Sequence, residues 1–152
     1  MKRVVATLLP ILVMGSLACK KSEPPPPPAP AAAPATPPPA PVGVSVVTLG
    51  NAIGPDKKVA AIVETFGAKD TIYAVVETGG TGHAKLRALW SFVKGDKTAK
   101  VDETTIELDS VAPAVNEFHI SKPSGWPKGQ YKVEIFLNEE ATPAAVKTFT
   151  VG

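Results

Sequence analysis

One cysteine, two histidines and a glycine-rich run are the residues of this chain whose types could do chemistry. Cys19 is the sole thiol, so neither an intrachain disulfide nor a cysteine-based structural zinc site can form. Its chemistry is that of a lone nucleophile open to modification. His83 and His119 could ligate a metal beside Asp or Glu, but their spacing matches no ligand pattern. Lone histidines on strands are usually satisfied or solvated. Ser124, His119 and Asp109 hold the atoms of a hydrolytic triad, yet nothing resembles a nucleophile elbow. Gly79-Gly80-Thr81-Gly82-His83 could bring backbone amides to a phosphate. It lacks the lysine-serine ending and the following helix of a nucleotide loop, so a hairpin or inter-sheet turn is favoured. No acid, base and nucleophile stand in a recognisable arrangement. The chain therefore reads as non-enzymatic and free of cofactors and metals.

Two aromatics invite a binding role. Trp126 lies in the Gly/Pro-rich connection from Lys122 to Gly129. It either folds back over one end of the domain, held by Pro127, or stands exposed as a platform for sugar or protein. Tyr73 falls out of phase with Ile72, Ala74 and Val76, so one face of its strand would show an aromatic.

Composition narrows the partners. The formal charge is +2, but Lys2 and Arg3 belong to a removable leader. From Cys19 onward 14 basic residues meet 14 acidic ones, and from Val42 onward 12 meet 13, a net of −1. No basic stripe exists to displace counterions, so nucleic acid is excluded as a partner.

The chain opens with Met1-Lys2-Arg3 and a mostly apolar run from Val4 to Leu17. Roughly 20 apolar residues are needed to span a bilayer, and this run is shorter and broken by Pro10 and Gly15. It has the proportions of a secretory signal over residues 1–18. It ends Gly15-Ser16-Leu17-Ala18-Cys19, which resembles a bacterial lipobox, although Ser16 stands where that pattern prefers leucine. The resemblance implies cleavage before Cys19 and acylation of its thiol and new amino group. Ser16-Leu17-Ala18 also fits an ordinary small-x-small site, which would release a soluble protein with a terminal thiol. Lipidation is preferred, because the only cysteine of an exported chain falls right at the cut. Each buried methylene contributes about 0.8 kcal/mol, so two or three acyl chains anchor durably. Lys20 follows the cysteine where the sorting pattern for inner-membrane retention has aspartate, so the resemblance favours the outer membrane of a bacterial envelope.

A charged collar, Lys20 to Glu23, leads into Pro24–Pro41, which holds 11 prolines and six alanines in 18 residues. No core can form there, and polyproline II is expected. At ~3.1 Å per residue such a stalk reaches on the order of 55 Å. Residues 19–41 thus read as an anchored tether. A Pro-x-x-Pro ligand for an SH3-like partner is the minor alternative.

Residues 42–152 alternate like strands. Ala84, Leu86, Ala88, Trp90 and Phe92 take alternate positions, and so do Tyr131, Val133, Ile135 and Leu137. Val44–Leu49, Thr71–Glu77, Thr104–Asp109, Phe118–Ile120 and Lys147–Val151 add further short strands, and Lys58–Phe66 is another apolar run. No segment shows a helical period. Seven or eight strands between turns predict an all-β, antiparallel β-sandwich.

Two sites carry a resemblance to the immunoglobulin-like and fibronectin-like folds. Trp90 sits mid-strand like the core tryptophan of the third strand, and Gly129-Gln130-Tyr131-Lys132-Val133 looks like the start of the sixth, where a tyrosine bonds back to the upstream corner. Val133 and Val76 take the two cysteine places, so no disulfide is implied. Lys122 to Tyr131 also resembles a corner of bacterial lipoprotein domains that brings no activity with it. The reading is of a lipid-anchored envelope protein presenting a monomeric Ig-like domain to an envelope protein or glycan, with a cell-wall-binding module using Trp126 as the alternative.

Overall fold

The computed structural model describes residues 40–152. The leader, Cys19 and the tether as far as residue 39 lie outside the described residues. The rest is an all-β sandwich. Its strands are β1 (Gly43–Gly50), β2 (Thr65–Phe66), β3 (Ile72–Gly79), β4 (Thr81–Lys94), β5 (Lys97–Val111), β6 (Ala114–Ile120), β7 (Gly129–Leu137) and β8 (Ala145–Val151). One sheet has the order β1-β3-β6 and the other β2-β8-β7-β4-β5. All pairings are antiparallel except β2 with β8. β4 and β5 form a hairpin, and the chain crosses from one sheet to the other between β6 and β7.

The alternating residues meet where the sequence pattern requires. Val76, Trp90 and Val133 are all buried between the sheets, and Trp90 stands opposite Val133 in register. The core is densest around Phe149. Its ring stacks on Tyr131 at 5.4 Å, with Trp90 edge-on at 6.0 Å and Phe66 edge-on at 5.4 Å. Burying side chains of this size contributes about 1.5–3 kcal/mol each.

Three local expectations need correction. Lys58–Phe66 is mainly a loop, and only Thr65–Phe66 pairs as a strand. The Ile53–Val59 bridge and the Lys58–Glu77 ion pair hold the segment from Asn51 over the outer face of the three-stranded sheet, which is why outward-pointing Val75 is fully buried. Thr104–Asp109 is only the middle of β5, a 15-residue edge strand whose charged side chains keep its free edge from pairing. The tether also does not end free of the domain. Ala40 accepts a hydrogen bond from the Thr81 amide at 2.9 Å.

Register gives the sandwich two poles. Gly43, the Gly79–Gly82 turn, Val111–Ala114 and Asn138–Ala144 cluster at the pole that Ala40–Pro41 joins. Gly67–Thr71, Lys94–Lys97 and Ser121–Lys128 form the far pole, with Gly152 beside Phe66.

Candidate functional site

The far pole is built by two loops that are laced together. Trp126 donates its amide to the Ala68 carbonyl at 2.7 Å and its indole N–H to the Asp70 carbonyl at 2.9 Å. Lys69 Nζ donates to the Pro123 carbonyl at 2.6 Å, and one Asp70 carboxylate oxygen accepts the Gly67 amide at 2.9 Å. Trp126 is only 6% exposed and lies edge-on to Tyr131 at 6.1 Å. It is the end cover, not the exposed platform. The indole is held because Pro127 and the Tyr131 corner bring this loop down on the core, where a large apolar ring gains from burial.

What this pole shows to solvent is lysine. Lys69, Lys94, Lys97, Lys122 and Lys128 are all exposed on its three turns. Among the described residues none of the five forms an ion pair, whereas Lys85, Arg87, Lys100 and Lys132 on the sheet faces do. Lys85 meets Glu107 at 3.2 Å and Lys132 meets Glu134 at 2.9 Å. Arg87 reaches Glu103 at 3.0 Å and lies over the Phe136 ring at 4.0 Å, which is how Phe136 becomes buried on an outer face. Lys100 also bonds Glu103. These two cations, Lys100 first, hold the Glu103 carboxyl below its usual value.

Tyr73 occupies the outer face of the three-stranded sheet and is half-buried. Its ring lies 5.5 Å from that of His119, its cross-strand partner. His119 Nδ1 is 3.0 Å from a Glu117 oxygen. His83 Nδ1 is 2.9 Å from Asp109, at the tether pole. His119 and Asp109 thus have separate partners, Ser124 stands in the far-pole loop, and the triad atoms do not converge. No group of three potential metal ligands occurs among the described residues. A shallow groove of about 300 Å³ runs past Glu64, Thr65, Gln130, Thr148 and Thr150 and is open to solvent.

The glycine run has a role that the sequence reading left open. Gly80 has φ +85°, and a Cβ there would lie 2.1 Å from the Pro41 carbonyl oxygen. Only glycine lets the end of the tether lie on this turn. The signal for this was the coincidence of two adjacent glycines with a chain arriving from outside the fold. The five lysines were missed because they are far apart in sequence and only the turns bring them to one end. Cys19 lies outside the described residues, and no described helix is long and apolar enough to cross a membrane.

No family model matches the chain, and no curated protein does. Among solved structures it is similar to a β-glucosidase involved in saponin metabolism from intestinal bacteria, at 14% identity and a TM-score of 0.39. The match covers 70% of this chain and 16% of that one.

Proposed function

We propose that this is a non-catalytic, lipid-anchored envelope protein that holds an Ig-like binding or scaffolding domain off a membrane on a proline-rich stalk. Acylated Cys19 is the anchor, and the outer membrane is its site by the Lys20 criterion. The domain acts as a monomer.

The observation that carries this reading is the joint at Gly80. Ala40 is bonded to the Thr81 amide and Pro41 is packed on Gly80, so the described chain enters the domain at this pole. Among the described residues, the turns of the opposite pole are largely exposed.

Intact-mass analysis of the membrane fraction tests it. The expected product begins at Cys19 and carries two or three acyl chains. Cys19→Ser is expected to leave precursor or release soluble domain. An unmodified Cys19 terminus in the soluble fraction would overturn the proposal.

A further inference from the structure

We infer that Asn51–Ile62 is a strap that lifts off the three-stranded sheet while the sandwich stays folded, and that the Lys58–Glu77 ion pair is its latch.

The argument starts on β3. Ile72, Ala74 and Val76 point between the sheets, so Tyr73, Val75 and Glu77 point outward. Tyr73 and Glu77 are half-buried, as residues on an outer face can be, but Val75 is 0% exposed. The chain between β1 and β2 lies over it. Gly50 stands opposite Tyr73 in register, and a Cβ on Gly50 would lie 2.7 Å from the Ala61 carbonyl oxygen and 2.8 Å from the Val59 Cβ. Farther along β3, Lys58 Nζ meets a Glu77 carboxylate oxygen at 2.8 Å. Thr48 and Val75 pair between these two points and are crossed by the strap.

What covers Val75 is itself barely anchored. No residue from Asn51 to Ile62 is buried, and only Ile53, Gly54 and Val59 are half-buried. Ala52, Ala60 and Ala61 offer little apolar area to hold it down. Its backbone bonds are internal. The Gly54 amide donates to the Lys58 carbonyl at 2.8 Å, the Lys57 amide to Gly54 at 3.0 Å and the Ala60 amide to Ala52 at 3.0 Å. Its ends are pinned side by side, because the Val63 amide donates to the Leu49 carbonyl at 2.9 Å and Val63 packs against the core. Closed ends and internal bonds are the build of an Ω-loop. Such a loop can leave its seat without breaking its own bonds or those of the sheet. Among the described residues, Lys58–Glu77 is the polar link that lifting must break. Segments with few buried apolar contacts are the ones that open below the free energy of global unfolding. The latch is 46% exposed at Lys58 and 30% at Glu77, so salt loosens it. Opening presents Val75 beside Tyr73 to solvent, and access to that patch is thereby set by one ion pair.

Thiol labelling tests this. In a full chain carrying Cys19→Ser, Val75→Cys supplies the only thiol, and its reaction with a water-soluble maleimide reads the opening. Val76→Cys, equally buried but on the inner face, reads unfolding of the sandwich. The first is expected to label more than about tenfold faster than the second. Lys58→Gln is expected to speed the first label about two- to fivefold, the worth of a partly exposed ion pair, and to leave the second unchanged. Added salt should act in the same way on the native latch and do little in Lys58→Gln. Gly50→Ala gives an arm that leaves Val75 in place. Gly50 does not have a positive φ, so its new methyl group collides with the strap rather than straining the backbone. The strap must then lift, and a soluble nitroxide should broaden the NMR signals of the Val75 methyls but not those of Val76. Equal labelling at the two sites, no acceleration in Lys58→Gln, or Val75 methyls still shielded in Gly50→Ala overturns the inference.

Discussion

The Tyr131 hydroxyl donates a hydrogen bond to the carbonyl of Pro127, four residues upstream, at 2.8 Å. The ring below it is stacked on Phe149 and meets Phe92 edge-on at 4.9 Å. One side chain therefore does two separable things. Its ring fills the space between the sheets, and its hydroxyl pins the Ser121–Lys128 loop to the start of β7. The loop in turn carries Trp126 and two of the far-pole lysines.

Tyr131→Phe separates the two roles. It is expected to cost roughly 0.5–1.5 kcal/mol, the net worth of one hydrogen bond. The urea midpoint should fall with the slope unchanged. Burial pushes the phenol above its ordinary value of 10. The unfolded chain then ionises first, so this contribution is present below pH 10 and lost as pH rises above it. The alkaline fall in stability should shrink in Tyr131→Phe, and an unchanged alkaline limb would contradict this.

Trp90 is the larger test. Its ring is 1% exposed, and its indole N–H has no protein partner. Trp90→Ala should cost roughly 3–5 kcal/mol, a large share of the stability of a small domain. Trp90→Phe should cost much less, since it removes an orphaned donor whose burial costs about 1–3 kcal/mol. Equal losses for the two variants would show that the indole nitrogen is satisfied in solution.

Trp126→Ala should destabilise rather than act on binding directly. It removes the cover of the far pole and two interloop attachments weaken with it. The expected loss is roughly 3 kcal/mol, read as a lower melting temperature. Unchanged melting with abolished wall binding would restore the exposed-platform role that its burial denies.

The strand phases were legible because alternation over Ala84–Phe92 and Tyr131–Leu137 is a direct consequence of the two-residue period of a sheet with one buried face. Trp90 and Tyr131 followed from that phase. Lys58–Phe66 was not legible. Most of it is a loop in which Ile62 is 71% exposed while Val63 and Phe66 turn to the core, so it has no period. The far pole could not be read either, since Lys69, Lys94 and Lys122 come together only through register. The joint was half legible. Two glycines announce a special turn, but nothing in their neighbours says that Ala40–Pro41, some 40 residues earlier, will lie on it.

Glu103 makes stability fall in acid. Lys100 and Arg87 hold its folded value below the ordinary 4.5. A depressed acid stabilises the fold above its unfolded value and loses that contribution as pH drops through the folded one. The expected signature is a melting temperature that declines below about pH 4.5. Glu103→Gln should flatten that decline, and added salt should do so in part, because the cluster is partly exposed. An identical acid limb in the variant would remove Glu103 as its source.

Gly80→Ala tests the joint itself. The native φ of +85° is strained for alanine, and the new Cβ would stand 2.1 Å from the Pro41 carbonyl oxygen. Both effects act at one residue, so the turn or the tether must move. The tether is the softer of the two, since Pro41 is exposed and the turn is fixed by β3 and β4 on either side. The bond from the Thr81 amide to Ala40 should therefore break, and exchange of that amide should accelerate. Strain of this kind costs on the order of 1–3 kcal/mol. Gly82→Ala is the control. Its φ is +136°, but a Cβ there would meet nothing within 4 Å. It should lower the urea midpoint through strain alone and leave Thr81 protected. Wild-type exchange of Thr81 in Gly80→Ala would mean that Ala40 and Pro41 are not held at this pole.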